Sequence, residues 1–274
     1  MSETIADIYA ARVAGERTLA SGERVPKDRG INHPLHDRIT MHSPLEPGDP
    51  VNKDALDEYI YWLNRHPGRR VDVALGPADE PGGAVVDYLV VENKPWLVYA
   101  QVSNTGTEST GEWRQRVGYI HNQFSNHDDI LSIDFSTSSF NGTHSLTGSY
   151  EMPTPLTDRL RWRIDAGWSA FESQEIGVFD TQFEGEQWWV GSDLVWTFAQ
   201  RGRWFFDLTV GVRYQNISVD NETAAVYGEE PFLLPHVGLA VERTTDVATT
   251  YAMVDYQINL DGMVGTDSDQ IVQL

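Results

Sequence analysis

The sequence predicts a small α+β module followed by an all-β, antiparallel up-and-down transmembrane β-barrel, incomplete at about nine strands. Three observations predict it. Composition changes abruptly near Pro95: the net charge of −21 over 274 residues divides into −5 before residue 96 and −16 after it. All three lysines lie in the first part, while eight of nine Trp and all ten Phe lie in the second. The hydrophobic period also changes, from 3.6 residues to two. Finally, the period-two segments are about 9–12 residues long, which exceeds an ordinary strand and suits a tilted crossing of a bilayer.

Taken in order, Asp37–His42 reads as a strand that precedes a helix. Asn52 then stands where an N-cap is wanted, with acidic residues behind it that suit the helix dipole. Leu56, Tyr59, Ile60 and Leu63 make one apolar face, and His66-Pro67-Gly68 stops the helix. Val71, Val73 and Leu75 alternate with Asp72 and Ala74, Pro81-Gly82-Gly83 turns the chain, and Ala84–Val91 forms a second apolar strand. Nine alternating segments follow: 96–104, 113–124, 130–139, 144–152, 159–170, 188–199, 204–215, 232–243 and 249–260. In 159–170 the even positions are Leu160, Trp162, Ile164, Ala166, Trp168 and Ala170, whereas Arg161, Arg163 and Asp165 fall among the odd ones. In 204–214 only Phe205 breaks the polar set.

A soluble β-sandwich, as in a carbohydrate-binding module or a glycosidase, would alternate too. Strand length favours the barrel. So do the charges within the polar faces (Arg161, Arg163, Asp165, Asp207, Arg213), which suit a wet lumen. The connections add a parity: the even ones (125–129, 153–158, 200–203, 244–248) are short, and 105–112, 171–187 and 216–231 are long. The third, a hairpin at Asn141-Gly142, departs from it. Trp96, Trp188-Trp189 and Trp204-Phe205-Phe206 sit near strand ends, as interfacial aromatic girdles do. A mean hydropathy of −0.40 is then the average of two opposite strand faces.

Other chemistry finds little support. The acidic balance argues against nucleic acid as partner, and the lack of cysteine excludes disulfides and thiolate sites. No apolar run is long enough for a membrane helix, and the first 30 residues lack the apolar core of a signal peptide. Gly106-(x)4-Gly111 continues as Glu112-Trp113 where a phosphate loop needs Lys-Ser/Thr. His33-Pro34-Leu35-His36 and His127-Asp128-Asp129 carry metal-ligand types without a third partner at a defined spacing, and read as turns. Glu184, Glu186, Asp193 and Asp207 contain the carboxylates a glycosidase pair would need, in a chain where acids are abundant.

Several motifs resemble one family. Pro44-Leu45-Glu46-Pro47-Gly48-Asp49, the helix running into Leu63-Asn64-Arg65-His66-Pro67-Gly68-Arg69-Arg70-Val71, and Glu80-Pro81-Gly82 resemble a POTRA domain. Asn93-Lys94-Pro95-Trp96 leads into Val98–Gly106, then Thr110-Gly111-Glu112-Trp113-Arg114, Asn122 and Asp128-Asp129-Ile130-Leu131-Ser132. This order is similar to that of the ShlB/FhaC-type (TpsB) outer-membrane transporters of two-partner secretion, a branch of the Omp85 superfamily. The resemblance implies a POTRA domain at 25–95, the end of a preceding POTRA at 1–24, and part of an outer-membrane barrel at 96–274. It further implies a transporter rather than an enzyme, with no cofactor, nucleotide or metal. The POTRA would face the periplasm and capture an unfolded exoprotein along a strand edge carrying Val71 and Val73, and the barrel would export it. A BamA-like assembly factor is the nearest rival. The family's Val-Arg-Gly-Phe/Tyr motif is missing, since Val212-Arg213-Tyr214 lacks the glycine, and nine strands imply a piece of a larger barrel.

Overall fold

The computed structural model describes residues 4–12, 16–18, 24–26, 34–79, 81–106, 111–139, 142–173, 183–221, 226–245 and 247–260. An α+β unit comes first. Helix α2 (Lys53–Leu63) begins where Asn52 accepts a hydrogen bond from Ala55 N at 3.2 Å, and it buries Leu56, Ile60 and Leu63. These pack on β4 (Arg69–Pro77) and β5 (Gly83–Glu92), an antiparallel hairpin in which Val71, Val86, Tyr88 and Val90 are fully buried. Tyr59 meets Tyr88 edge-on at 5.6 Å, and its hydroxyl donates to Ile39 O at 2.8 Å.

Two expectations change here. Residues 34–41 are helix α1 (Pro34–Met41), not a strand over Asp37–His42. Proline suits the first turn of a helix, and Ile39 is 2% exposed while Met41 is 78% exposed, so the two do not share a buried strand face. The sequence set residues 1–24 apart, whereas β1 (Thr4–Arg12) pairs parallel with β5 and buries Ile5 in the same core, giving the order β1-β5-β4. Short strands β2 (Glu16–Thr18) and β3 (Arg24–Pro26) pair with each other.

The second part is one sheet of nine antiparallel strands: β6 (Trp96–Ser103), β7 (Arg114–His121), β8 (Ile130–Ser138), β9 (His144–Pro153), β10 (Leu160–Ser173), β11 (Phe183–Arg201), β12 (Trp204–Asn221), β13 (Val226–Thr244) and β14 (Thr249–Gln257). Each strand pairs with its neighbours in chain order, from β6 to β14. That order overturns the sandwich reading, which needs two sheets packed face to face. Among the described residues β6 and β14 each pair on one side only, so the sheet is open.

One face is apolar and exposed throughout, carrying Ile133, Phe135, Trp162, Leu194, Trp196, Val210 and Leu239. Trp204 and Tyr214 stand ten residues apart on it. That is about 33 Å along a strand, or about 25 Å at a barrel strand's tilt, the height of a membrane barrel's apolar band. Trp188 meets Tyr214 at 5.3 Å in a tilted pair at one level, and Trp196, Phe198 and Phe206 cluster at the other. The sequence placed Trp189 in this girdle; neighbours on a strand face opposite ways, and Trp189 instead donates to Asp165 on the polar face at 3.1 Å. There its indole lies over Gly167, and Tyr99 lies likewise over Gly118; any Cβ at either glycine would collide with the ring.

Strand length also differs from expectation. Strands β11, β12 and β13 have 19, 18 and 19 residues, and the connection expected at 216–231 shrinks to 222–225. The ladder continues beyond Trp188 while the face that was apolar becomes polar, with Glu184, Glu186, Ser218, Asp220 and Glu229. Alternation is imposed by hydrocarbon on one side, so it fades outside the apolar band although backbone pairing does not. The asymmetry between the two ends thus resides in protruding strands as well as in loops.

Candidate functional site at the junction of the two parts

The α+β unit seats on the even-connection end of the sheet. On α1, Arg38 pairs with Asp158 and donates to His127 O at 3.2 Å, and His42 Nδ1 lies 3.0 Å from Asp158. On α2, Glu58 accepts from Gln200 and from Gly202 N at 2.7 and 2.9 Å. Arg203 stacks on Tyr61 at 4.7 Å and Arg159 on Trp62 at 5.0 Å. Connections two, four and six therefore all touch the unit.

Arg65, just past the α2 C-terminus, is the centre of this contact. Its guanidinium reaches Asp207 and Glu242 at 2.7 Å each and Thr197 Oγ1 at 3.1 Å. Burial opposes its charge, but the two carboxylates outweigh burial and hold its pKa above the ordinary value. Beneath it lies Phe205, 4.5 Å from the guanidinium and 6.3 Å from Trp62, and 3% exposed. This explains the break in alternation: Phe205 is on the polar face, at the place where the α+β unit covers it.

A second centre lies around connection two. Asp129, fully buried, accepts from Ser125 N and His127 N and so closes the turn. Its neighbour Asp128, at φ 60°, pairs with buried Arg69. Burial favours the protonated Asp128, but the charge and hydrogen bond of Arg69 prevail and hold its pKa below the ordinary carboxylate value. His66 is 7% exposed, and burial pushes its pKa down to about 4, so it is neutral at physiological pH. Its Nδ1 accepts from Gly68 N at 3.2 Å. A cavity of about 180 Å³ separates the unit from the sheet, lined by Arg65, His66, Arg69, Glu151, Arg161 and Arg163 among others.

The five charged residues that the sequence assigned to a wet lumen share one sheet face and are paired there, whereas Glu184 and Glu186 lie on the other. Glu151 bridges Arg161 and Arg163 at 2.5 and 2.6 Å, Arg213 lies 3.4 Å from Asp165, and Asp207 is bound by Arg65. Asp193 faces His236 at 3.3 Å. Val71 points into the core and Val73 packs against it, so neither offers its side chain to a partner; their strand β4 is nevertheless a sheet edge. His33 and the side chain of His36 lie outside the described residues, and Asp128-Asp129 serve the turn and the junction. Sequence reasoning missed Arg65, Thr197 and Glu242; the one available signal was the misplaced Phe205.

A sequential antiparallel sheet with a continuous apolar face between two aromatic levels, and a charged opposite face, is the wall of a membrane β-barrel. The family model for Haemolysin secretion/activation protein ShlB/FhaC/HecB matches residues 82–223, over half of the chain, and the chain belongs to that family. It is an outer-membrane protein of the Omp85 superfamily. Outer membrane transporter CdiB-2 of Burkholderia pseudomallei strain 1026b is 27% identical over 40% of this chain and 20% of its own. Hemolysin transporter protein ShlB of Serratia marcescens is 26% identical over 38% and 19%. Among solved structures, CdiB from Escherichia coli matches with TM-score 0.69 at 14% identity, covering 97% of this chain and 47% of that one. BamA from Haemophilus ducreyi lacking POTRA domains 1–3 matches with TM-score 0.54 at 10% identity. The chain thus spans about a fifth of the curated relatives and about half of the structural ones.

Proposed function

We propose that this chain is a POTRA-bearing part of a two-partner-secretion transporter that exports an unfolded exoprotein. In this reading the α+β unit is the POTRA domain, taking in Thr4–Arg12 as its first strand, and residues 96–274 are the opening strands of a barrel completed by further chain. The polar face bearing Arg161, Arg163, Asp165, Asp207 and Arg213 lines the conduit. One observation carries the orientation: the unit is seated on the even connections, the end opposite the protruding strands, so it lies on the periplasmic side when those strands face outward. A client strand adding to the free edge of β4 is the recognition mode such a sheet offers. No nucleotide, metal or nucleic acid enters this mechanism, and lipid of the outer membrane contacts the apolar face. The family match supports export over the BamA-type alternative, whose likeness is one of fold.

The test is genetic. Deleting the gene should strand in the periplasm a large secreted protein encoded beside it, and full-length transporter should restore its release. Unchanged release in the deletion strain would refute the reading.

A further inference from the structure

The free edge of β4 is already occupied at one residue. The side chain of Asn64, directly after α2, accepts from Val71 N at 2.7 Å and donates to Val71 O at 2.9 Å. Those are the two bonds that a residue of an added strand would make. In an antiparallel pair, residues alternate between those bonded to the neighbouring strand and those whose N–H and C=O point away from it. Val71 points away, as its bonds to Asn64 require, and Val73 and Leu75 share its phase. Among the described residues nothing bonds the outward backbone groups of Val73 and Leu75, and the Leu75 side chain is half exposed. Pro77 has no N–H and ends the run. Beside Asn64, a groove of about 470 Å³ runs between Ile60 and Arg70 on the unit and Phe205 and Thr244 at the base of the sheet.

We infer that Asn64 is an intramolecular strand mimic that sets the register of the docked client. An extended segment of the exported polypeptide pairs first with Val73 and Leu75. It extends to Val71, and so into the groove that leads to the Arg65 centre, only by displacing the Asn64 amide. Asn64 is itself exposed, so the displaced amide is met by water and the exchange costs little. The groove's continuity with the junction, together with unpaired backbone groups on one straight edge, selects an extended chain as occupant. This rests on the transporter reading above.

The experiment uses full-length transporter in lipid nanodiscs and, as probe, the purified N-terminal segment of the secreted protein encoded beside its gene. Asn64→Ala should tighten binding by about three- to tenfold, because no amide must leave, and should expose the free protein's Val71 amide to exchange. Leu75→Pro removes an outward donor, which an edge strand tolerates, and should weaken binding about fivefold or more. Amide protection along β5 in each free variant reports that the sheet is intact; if Leu75→Pro loses it, Asn64→Ala with bound-state protection at Val71, Val73 and Leu75 decides alone. Binding at wild-type strength in Asn64→Ala, with no new protection at Val73 and Leu75, overturns the inference while the transporter reading stands. A probe that fails to bind the wild-type protein overturns both.

Discussion

Acid should loosen the junction through His66 before it affects Asp128 or Asp129. In the closed junction His66 stays neutral, because burial holds its pKa at about 4, against an ordinary value of 6.5. A state in which the junction opens and His66 meets water takes up a proton that the closed state refuses. The lowered pKa therefore leaves stability intact above 6.5 and erodes it as pH falls from 6.5 toward 4. Between pH 7.5 and 5 the loss is about 2 kcal/mol, or roughly a 30-fold rise in the open population. Asp128 and Asp129 are held below the ordinary carboxylate value, so their contributions persist above it and fail only at lower pH. The interval from 7.5 to 5 thus sets His66 apart from these two carboxylates, and the His66→Gln variant sets it apart from His42, which faces Asp158 across the junction. Hydrogen exchange of α2 and β4 amides in the full-length protein, corrected for intrinsic rates, reads the effect, and His66→Gln should abolish it. Protection that is independent of pH in the wild type, or equally dependent in His66→Gln, would refute the reasoning.

Three further substitutions test the same structure. Arg65→Ala leaves Asp207 and Glu242 facing each other without their cation and should destabilise docking by about 2–4 kcal/mol; a double-mutant cycle with Asp207→Ala in thermal unfolding should return a coupling of about 1–3 kcal/mol. Phe205→Ser restores the polar alternation yet removes the ring beneath Arg65 and Trp62, and should cost about 2–4 kcal/mol of junction stability by the same assay. Gly167→Val forces the Trp189 indole off the sheet and breaks its bond to Asp165, which should cost about 1–3 kcal/mol, seen as a lower temperature for conversion to the unfolded gel band in detergent.

The parts of this fold that a sequence reveals are those where solvent acts on side chains one at a time. Leu160, Trp162 and Ile164 announced both strand and apolar face because hydrocarbon meets every second residue, and Asn52 announced α2 because a helix start needs its acceptor. Where that alternation stops, the signal stops as well: beyond Trp188 the apolar face gives way to Glu184, Glu186, Ser218 and Asp220, and the stretch reads as a loop. β1 was missed since its pairing with β5 depends on backbone and on one buried Ile5. The junction was the least legible element, because Arg65 meets Asp207 and Glu242 only after some 140 to 180 intervening residues have been folded into a sheet. Phe205 was visible as an exception to its pattern, and its cause became apparent only when Trp62 and Arg65 were seen to cover it.

In the proposed transporter the nine-stranded sheet presents one face to lipid and the other to a wet interior. These 274 residues contain no cysteine, so, with any cysteine elsewhere in the full-length protein replaced by serine, single cysteines can be placed in the sheet and labelled with an environment-sensitive fluorophore. Full-length protein carrying labels at Val210 or Leu239, or at the adjoining Thr209 or Ala240, is reconstituted with phospholipids brominated along their acyl chains. Labels at Val210 and Leu239 should be strongly quenched, and those at Thr209 and Ala240 should be left bright. Equal quenching of the adjoining pairs, or the reverse order, would contradict the account.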